Sequence, residues 1–147
     1  MNRGRPGSKL HLLTDGAGVP LAVALSAANV ADLDALVPLV QAIPAVRSQR
    51  GPRRRRPIKL HADKAYDAAW ARAWLRGHRI GPRIARRGVQ TSTRLGRHRC
   101  RIERSFAWLG GRRRLLIRYE RKPANYLAFA TLACALIAIK HLHPLKY

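Results

Sequence analysis

The sequence predicts an α/β domain in which a mixed sheet is flanked by helices. The first observation is the order of its patterns, because a hairpin is followed by helix, strand, helix, strand, helix and helix. The second is length and composition, since 147 residues with 47% hydrophobic content suffice for one core. We therefore expect residues 1–147 to form a single domain.

A β-hairpin opens the pattern. Residues 9–14 and 20–26 are apolar-rich and β-compatible, and residues 15–18 between them supply the glycines that hairpin turns require. Residues 33–40 then predict a helix, because their apolar positions follow helical spacing despite a proline inside it. Two residues are candidates for its N-cap, Asn29 and Asp32.

A basic segment and a short strand come next. Residues 47–57 hold four consecutive arginines without periodicity and predict an exposed loop that either contacts phosphate or is simply solvated. Residues 58–62 predict a strand that leads directly to Asp63. The following helix has Asp67 as its expected N-cap and Gly77 as its end.

The last part of the chain predicts one strand and two further helices. Residues 80–85 are strand-like, and the polar residues 86–97 predict a connecting loop of the kind that carries function. A helix is expected to begin near His98 and to end or bend at Gly110-Gly111. Three residues form its apolar stripe, Ile102, Phe106 and Leu109. A final helix over 125–141 should lie on the sheet as a buried helix.

The charge balance points to a polyanionic partner. Thirty Lys and Arg residues stand against seven Asp and Glu residues, which gives a formal net charge of +23. Nucleic acid is the partner that this charge favours, because each neutralised phosphate releases condensed counterions. An anionic membrane is the alternative, but no basic amphipathic helix stands out as an anchor. Part of the Arg and Ala content is also typical of a GC-rich genome.

The remaining composition predicts a reduced, cytoplasmic protein without a membrane span. The N-terminus has no apolar segment of the kind found in secretory signals. The longest apolar run, residues 126–139, is shorter than the roughly 20 residues that a span needs. Cys100 and Cys134 lie far apart in sequence, so neither a disulfide framework nor a thiolate metal site is suggested.

Two of the seven acids lack a simple structural explanation. Turn and helix-terminus roles account for four, Asp15, Asp32, Asp34 and Asp67. Glu120 is expected to be an exposed partner of a neighbouring Arg. Asp63 then remains at the carboxyl end of a strand, where α/β sheets gather their sites, and Glu103 remains on a helix. If they converge they suit Mg²⁺ or Mn²⁺, whereas the alternative is an ion pair of Glu103 with Arg99.

Three segments of this chain resemble the DDE transposases of prokaryotic insertion sequences. They are GRPGSKLHLLTDGAGVPLAVALSAAN, LHADKAYD and GRHRCRIERSFAWLGGRRRL, and they follow one another in the same order as in that family. The resemblance implies a ribonuclease-H-like catalytic domain. It further implies that Asp63 is the second catalytic acid, that Glu103 is the third, and that Arg99 contacts DNA phosphate near them.

The chain also departs from the family pattern. Gly96 stands where related enzymes have tyrosine, and Gly110 stands where they have lysine, so DNA-contacting roles pass to neighbours such as Arg112. The first catalytic aspartate of the family lies on a strand before the hairpin, and no residue here replaces it. We therefore expect a sheet that is incomplete at its N-terminal strand. A frameshift product, a truncated start and a decayed gene are alternative accounts.

The resemblance implies DNA transposition by metal-dependent cleavage and strand transfer at insertion-sequence ends. Asp63 and Glu103 would hold metal in a complete site with two Mg²⁺ or Mn²⁺ ions. Double-stranded DNA is the expected partner, with Arg97, Arg99, Arg112 and Lys64 as its contacts. An upstream transposase segment or a second copy of the chain would be needed for activity. The alternative is a noncatalytic DNA-binding or regulatory fragment that assembles with a full transposase.

Other residue groups have weaker functional interpretations. His98 with Cys100, and His141 with His143, lack the partner pairs of a zinc site. Trp70 and Trp74 are spaced i and i+4 and are expected in the core rather than on a base-stacking platform. Tyr66, close to Asp63 in sequence, either orients DNA or lies on the surface.

Overall fold

The computed structural model describes residues 7–47, 51–86, 88 and 96–142. The strands in this part of the chain are β1 (Ser8–Thr14), β2 (Pro20–Ala27), β3 (Val46–Arg47), β4 (Arg53–Arg54), β5 (Lys59–Ala62) and β6 (Gly81–Ile84). The α-helices are α1 (Leu36–Gln41), α2 (Ala69–Gly77), α3 (Gly96–Gly110), α4 (Arg113–Leu116) and α5 (Pro123–Leu142). Short 3₁₀ helices precede α1 and α2, at Asp32–Ala35 and Lys64–Tyr66. This mixture of helix and strand confirms the α/β class.

The predicted hairpin is confirmed. β1 and β2 pair antiparallel, with Leu10 opposite Leu25 and a bulge where Leu13 meets Thr14. The Asp15 side chain organises the turn, because its Oδ1 accepts hydrogen bonds from the backbone N–H groups of Ala17 and Val19, each at 2.8 Å. A short side-chain acceptor at this position is the physical reason why Asp favours turns.

The strands form pairs rather than one sheet in the described part of the chain. β5 and β6 pair in parallel, as expected for strands that a helix connects, and each of the other strands also has a single neighbour. The prediction of one mixed sheet is therefore not met by the residues described. The basic segment was also predicted as a loop, but β3 and β4 pair there as a short antiparallel ladder.

Two hydrophobic clusters divide the interior. The larger one, here called the α2 core, unites α1, α2, β5 and β6, and its buried residues are Leu36, Val40, Ile43, Leu60, Ala71, Leu75, Ile80 and Ile84. The smaller one, here called the α5 core, joins α3 to α5, and its buried residues are Leu109, Ala133 and Ile137. The predicted apolar stripe of α3 is thus only partly used, because Leu109 is buried whereas Phe106 is 39% exposed.

The β1–β2 hairpin lies between the two cores. Leu13 packs against the α2 core, whereas Leu10 and Leu12 pack against the α5 core. Successive side chains of a strand point to opposite faces, so one hairpin serves both clusters. α5 runs along β2, as predicted for a final helix that lies on the sheet.

Several helix termini differ from the sequence predictions. The first helical segment begins after Ala31 without a side-chain cap, so neither Asn29 nor Asp32 caps it. Asp67 does not cap α2 either, because it follows a 3₁₀ turn and pairs with Arg72, with 2.6 Å between Oδ1 and Nη2. α2 ends at Gly77 as predicted, but Arg79 adopts the left-handed conformation beyond it, with a φ of 59°.

α5 is longer and more exposed than predicted. It has 20 residues, because the segments flanking the apolar run at 126–139 are also helical. By length and composition this one helix could cross a membrane, although core helices of soluble proteins meet the same criterion. Only 22% of its apolar window is buried, so the prediction of a buried helix holds for one face alone. Trp70 on α2 is likewise 48% exposed rather than in the core.

Candidate active site

Asp63 follows β5 directly, as the sequence predicts. Its Oδ1 accepts a hydrogen bond of 2.9 Å from the backbone N–H of Ala65 and so caps the 3₁₀ turn that follows. The residue is exposed, whereas Leu60 on the same strand is buried in the α2 core. The cap therefore orients an exposed carboxylate at the end of β5.

Glu103 lies exposed on α3, the helix whose Leu109 is buried in the α5 core. What holds α3 there is Ser105, two residues further along and fully buried. The Oγ of Ser105 lies 2.5 Å from the carbonyl oxygen of Gly18 at the hairpin tip and 2.9 Å from that of Arg101. The helix that carries Glu103 is thus fastened to the hairpin by a buried hydroxyl.

The hairpin tip is shaped to receive α3. Gly18 has a φ of 92°, a conformation that residues with a side chain rarely adopt. A Cβ at this position would lie 3.2 Å from the carbonyl oxygen of Arg101 and 3.3 Å from the Ser105 hydroxyl. A glycine is therefore required here both for the turn and for the close approach of the helix. The sequence indicated the turn, but it gave no sign of the contact with α3.

The other predicted DNA contacts have varied surroundings. Lys64 is exposed in the 3₁₀ turn beside Asp63 and makes contacts within the chain. Arg112 is half-buried and precedes α4. Arg97 and Arg99 lie in the first turn of α3, but their side chains are outside the described part of the chain. His143 also lies outside it, so the pair of His141 and His143 stays untested. The predicted pairing of Arg99 with Glu103 consequently stays a prediction.

The Tyr66 hydroxyl is affected by the negative charges of two acids, Asp32 and Asp63. Burial raises the pKa of its hydroxyl to about 12, with further increases from the negative charges of Asp32 and Asp63. The hydroxyl therefore keeps its proton at neutral pH and remains a hydrogen-bond donor. The sequence placed Tyr66 near Asp63 but did not indicate this burial.

Glu120 differs from its predicted exposure. It pairs with Arg114 as predicted, with 3.2 Å between Oε1 and Nη1, but its side chain is only 8% exposed. Its Oε2 is buried without a hydrogen-bond partner among the described residues. Glu120 lies in the turn between α4 and α5, and this burial accompanies its ion pair with Arg114.

The described residues offer two carboxylates for metal binding but no complete ligand set. Carboxylate oxygens such as those of Asp63 and Glu103 fit the preference of Mg²⁺ and Mn²⁺. Within residues 7–47, 51–86, 88 and 96–142, however, no group of three or more His, Cys, Asp and Glu side chains is placed to hold a metal. Elsewhere, an open groove of about 450 Å³ is lined by Ala45 and by the four arginines at 53–56.

Comparison with known proteins identifies the family. The model of the transposase DDE domain matches residues 1–138. A Burkholderia cepacia protein that carries the name of transposase for insertion sequence element IS402 is 46% identical over 136 residues. The match covers 92% of this chain and 64% of that protein, and no solved structure matches the chain. On this similarity the chain belongs to the DDE-type transposases of insertion sequences.

Proposed function

We propose that this chain supplies the second and third acids for phosphodiester cleavage and strand transfer at insertion-sequence ends. Membership of the family supports a role in DNA transposition. The observation that carries the finer proposal is the capped, exposed carboxylate of Asp63 at the end of β5, where the second acid of the family is expected. Glu103 supplies the third acid from α3.

Both proposed reactions are in-line displacements at phosphorus. The chemistry that bound Mg²⁺ or Mn²⁺ supplies in such sites is activation of the attacking oxygen and stabilisation of the leaving one. The protein contributes position. The cap on Ala65 fixes Asp63, the contact between Ser105 and Gly18 fixes α3, and Arg99 steadies a phosphate. Arg97, Arg112 and Lys64 bind the duplex backbone, with little readout of sequence.

The remaining acid of the family and one further strand of the sheet are proposed to come from the same segment. β1 pairs only with β2 and β5 only with β6 in the part of the chain described, so each has an edge that accepts another strand. An additional strand between β1 and β5 would join the two pairs into one ribonuclease-H-like sheet. An acid on that strand would lie beside the end of β5. We propose an upstream transposase segment as its source, or a second copy of the chain.

The cellular setting follows from this role. Double-stranded DNA is the proposed partner, and the net charge of +23 supplies the long-range attraction. We place the protein in the cytoplasm, where bacterial DNA is accessible, and assign α5 to the protein interior and its surface rather than to a membrane.

The test compares cleavage with and without an upstream segment. Supercoiled plasmid that carries the DNA flanking the gene is incubated with Mg²⁺ and either the 147-residue chain or the same chain extended by the segment encoded immediately upstream. The isolated chain should show very low cleavage, and the extended chain should gain Mg²⁺-dependent nicking. No gain on extension would contradict the proposal.

Substitutions then locate the activity. Asp63→Asn keeps an oxygen that can accept from the N–H of Ala65 but removes the charge, so cleavage should be lost while the fold persists. Glu103→Gln should behave in the same way. Asp34→Asn is the matched control, because this acid lies in the first turn of a 3₁₀ helix and has no assigned role. Cleavage that survives both site substitutions would remove the nuclease interpretation.

A noncatalytic function is the second candidate. It is favoured by one observation, that the described residues lack a group of three metal-binding side chains while the whole chain is strongly basic. Such a fragment would bind DNA or assemble with a full transposase and regulate it. DNA binding that is sensitive to salt, but indifferent to Mg²⁺ and to both substitutions, would identify this function.

A further inference from the structure

The short helix α4 and the turn that follows it expose apolar side chains in a strongly basic setting. Residues 112–122, here called the α4 ridge, contain six cations and one acid. The cations are Arg112, Arg113, Arg114, Arg118, Arg121 and Lys122. Among them Leu116 is 71% exposed, Ile117 50% and Tyr119 57%. Isolated exposed apolar residues are ordinary, but three within four positions form a patch that indicates a binding surface.

The α4 ridge is anchored to the protein rather than loosely attached. Leu115 packs against the α5 core, and its carbonyl oxygen accepts a hydrogen bond of 3.0 Å from the Tyr126 hydroxyl. Two arginines of the ridge lie over aromatic rings of α5. Arg114 lies 4.9 Å from the ring centre of Phe129, and Arg118 lies 5.1 Å from that of Tyr126. These contacts hold the segment from its inner side.

The carboxyl half of the ridge is fixed by Glu120. Its buried carboxylate pairs with Arg114, and its backbone carbonyl oxygen accepts a hydrogen bond of 2.9 Å from Nε of Arg118. Arg118 also contacts the Ser8 hydroxyl at the start of β1. Leu116 and Ile117 are therefore presented outward by a segment that is fixed on both sides of them. A surface preformed in this way loses little conformational entropy when it binds.

Charge selects the partner for this surface. Cations on both sides of the apolar residues in the sequence complement a partner that carries dense negative charge outside and apolar faces inside. Duplex DNA has this arrangement, because phosphates line its grooves and stacked bases lie between them. Proteins that distort DNA insert Leu, Ile or similar side chains between base steps and hold the flanking phosphates with basic residues.

The structure assigns a second DNA contact to the α4 ridge, distinct from the carboxylates. We infer that Leu116 and Ile117 form a wedge that enters the minor groove and kinks the duplex, while Arg113, Arg121 and Lys122 hold the adjacent phosphates. The identity of the partner rests on the proposed function. The wedge itself rests on the exposure and the anchoring of the ridge.

Binding and bending of a labelled duplex test the wedge. The probe is a duplex of about 30 base pairs with a fluorescent donor at one end and an acceptor at the other. The full chain should shorten the end-to-end distance, because wedge insertion bends DNA by roughly 20–90°. The double variant Leu116→Ala/Ile117→Ala should bind about tenfold more weakly and should leave the duplex straight.

Matched variants separate the wedge from general effects. Leu132→Ala/Ile139→Ala removes two exposed apolar residues of α5 and should leave both affinity and bending unchanged. Arg121→Ala should lower the slope of log affinity against log salt by about one, whereas the apolar double variant should leave that slope unchanged. Thermal unfolding of each variant confirms that the fold is retained.

Several outcomes would overturn the inference. One is equal affinity and equal bending for the native chain and the Leu116→Ala/Ile117→Ala variant, and another is DNA that stays straight with the native chain. Vesicles that contain phosphatidylserine test a lipid surface, and sedimentation tests self-association. If the double variant loses vesicle binding or self-association but still bends DNA, the ridge binds lipid or a second copy of the chain and not DNA. The proposed function is judged separately, by Mg²⁺-dependent cleavage and by the substitutions at Asp63 and Glu103.

Discussion

The two hydrophobic cores differ in how completely they bury their own elements. Among the described residues the α2 core buries eight side chains, and Ala71 and Leu75 within it have no exposed surface. The α5 core buries three, and α5 leaves an apolar face in solvent. Asp63 belongs to the first region and Glu103 to a helix of the second. The relative position of the two acids therefore depends on the hairpin that joins a self-sufficient core to a partly covered one.

The largest expected effect is a loss of stability in the α2 core. Leu75→Ala should lower the free energy of unfolding by about 3 kcal/mol, because it leaves a cavity in fully buried surroundings. Ile137→Ala in the α5 core should cost less, about 2 kcal/mol, since fewer buried neighbours surround it. Urea unfolding measures both, with the exposed Leu132→Ala as control. Equal losses at the two positions would contradict the distinction between the cores.

A smaller effect is expected where the hairpin meets α3. Gly18→Ala should cost about 2 kcal/mol, because the backbone is left-handed there and the new methyl group would press on Arg101 and Ser105. Gly16→Ala in the same turn is the matched control, since the nearest atom to its Cβ is 3.9 Å away. In the extended chain, Gly18→Ala should also reduce cleavage, because α3 carries Glu103. Similar stability for the two variants would show that the hairpin tip does not fix α3.

The pH dependence of stability should report on a buried histidine of the hairpin. His11 is buried on β1, and its Nε2 lies 2.8 Å from the Ser26 hydroxyl. Burial lowers the pKa of His11 below its ordinary value of 6.5, an effect that Asp32 opposes and Lys9 reinforces.

The sign of the effect follows from proton binding. His11 takes up its proton at a higher pH in the unfolded chain than in the folded chain. The contribution of neutral His11 to the free energy of unfolding is therefore complete above pH 6.5, and it is lost as the pH falls below that value. Thermal unfolding between pH 7 and 5 should show the loss, and His11→Gln should reduce it. A pH response that is unchanged in this variant would locate the titrating group elsewhere.

The smallest effect is expected at the surface of the hairpin. Lys9 pairs with Asp32 at 2.9 Å, but both side chains are more than a third exposed. Lys9→Met should therefore cost about 0.5 kcal/mol, and the difference from the native chain should shrink further in high salt. A loss as large as that of Gly18→Ala would show that Lys9, through its bond to the Val30 carbonyl, contributes to the joint between the cores.

Much of the secondary structure could be predicted from sequence, because its signals are local. The hairpin, the strands before Asp63 and at 80–85, and the helices beginning near His98 and at 125 are confirmed within a few residues. The predicted helix caps are wrong where tertiary contacts compete for the same side chain. Asp67 is an example, since it pairs with Arg72, which also donates to the carbonyl oxygen of Ile84.

In the candidate site, too, local features could be predicted and features that depend on tertiary contacts could not. The position of Asp63 at the end of a strand is a local property, and the structure confirms it. The burial of Glu120 could not be predicted, because it depends on contacts between α4, α5 and Arg114. The convergence of Asp63 and Glu103 stays a prediction, since it depends on how β5, the hairpin and α3 pack together.

By itself, the sequence determined most of the elements and the charge, because turn residues, periodicity and composition act over a few positions. The two acids were nominated by the resemblance to the family. Only the tertiary structure decided that the interior splits into two cores, that Ser105 fastens α3 to Gly18, and that Leu116 and Ile117 face solvent. The physical reason is that burial is a property of surfaces that meet. A residue 87 positions away along the chain decided the surroundings of Gly18.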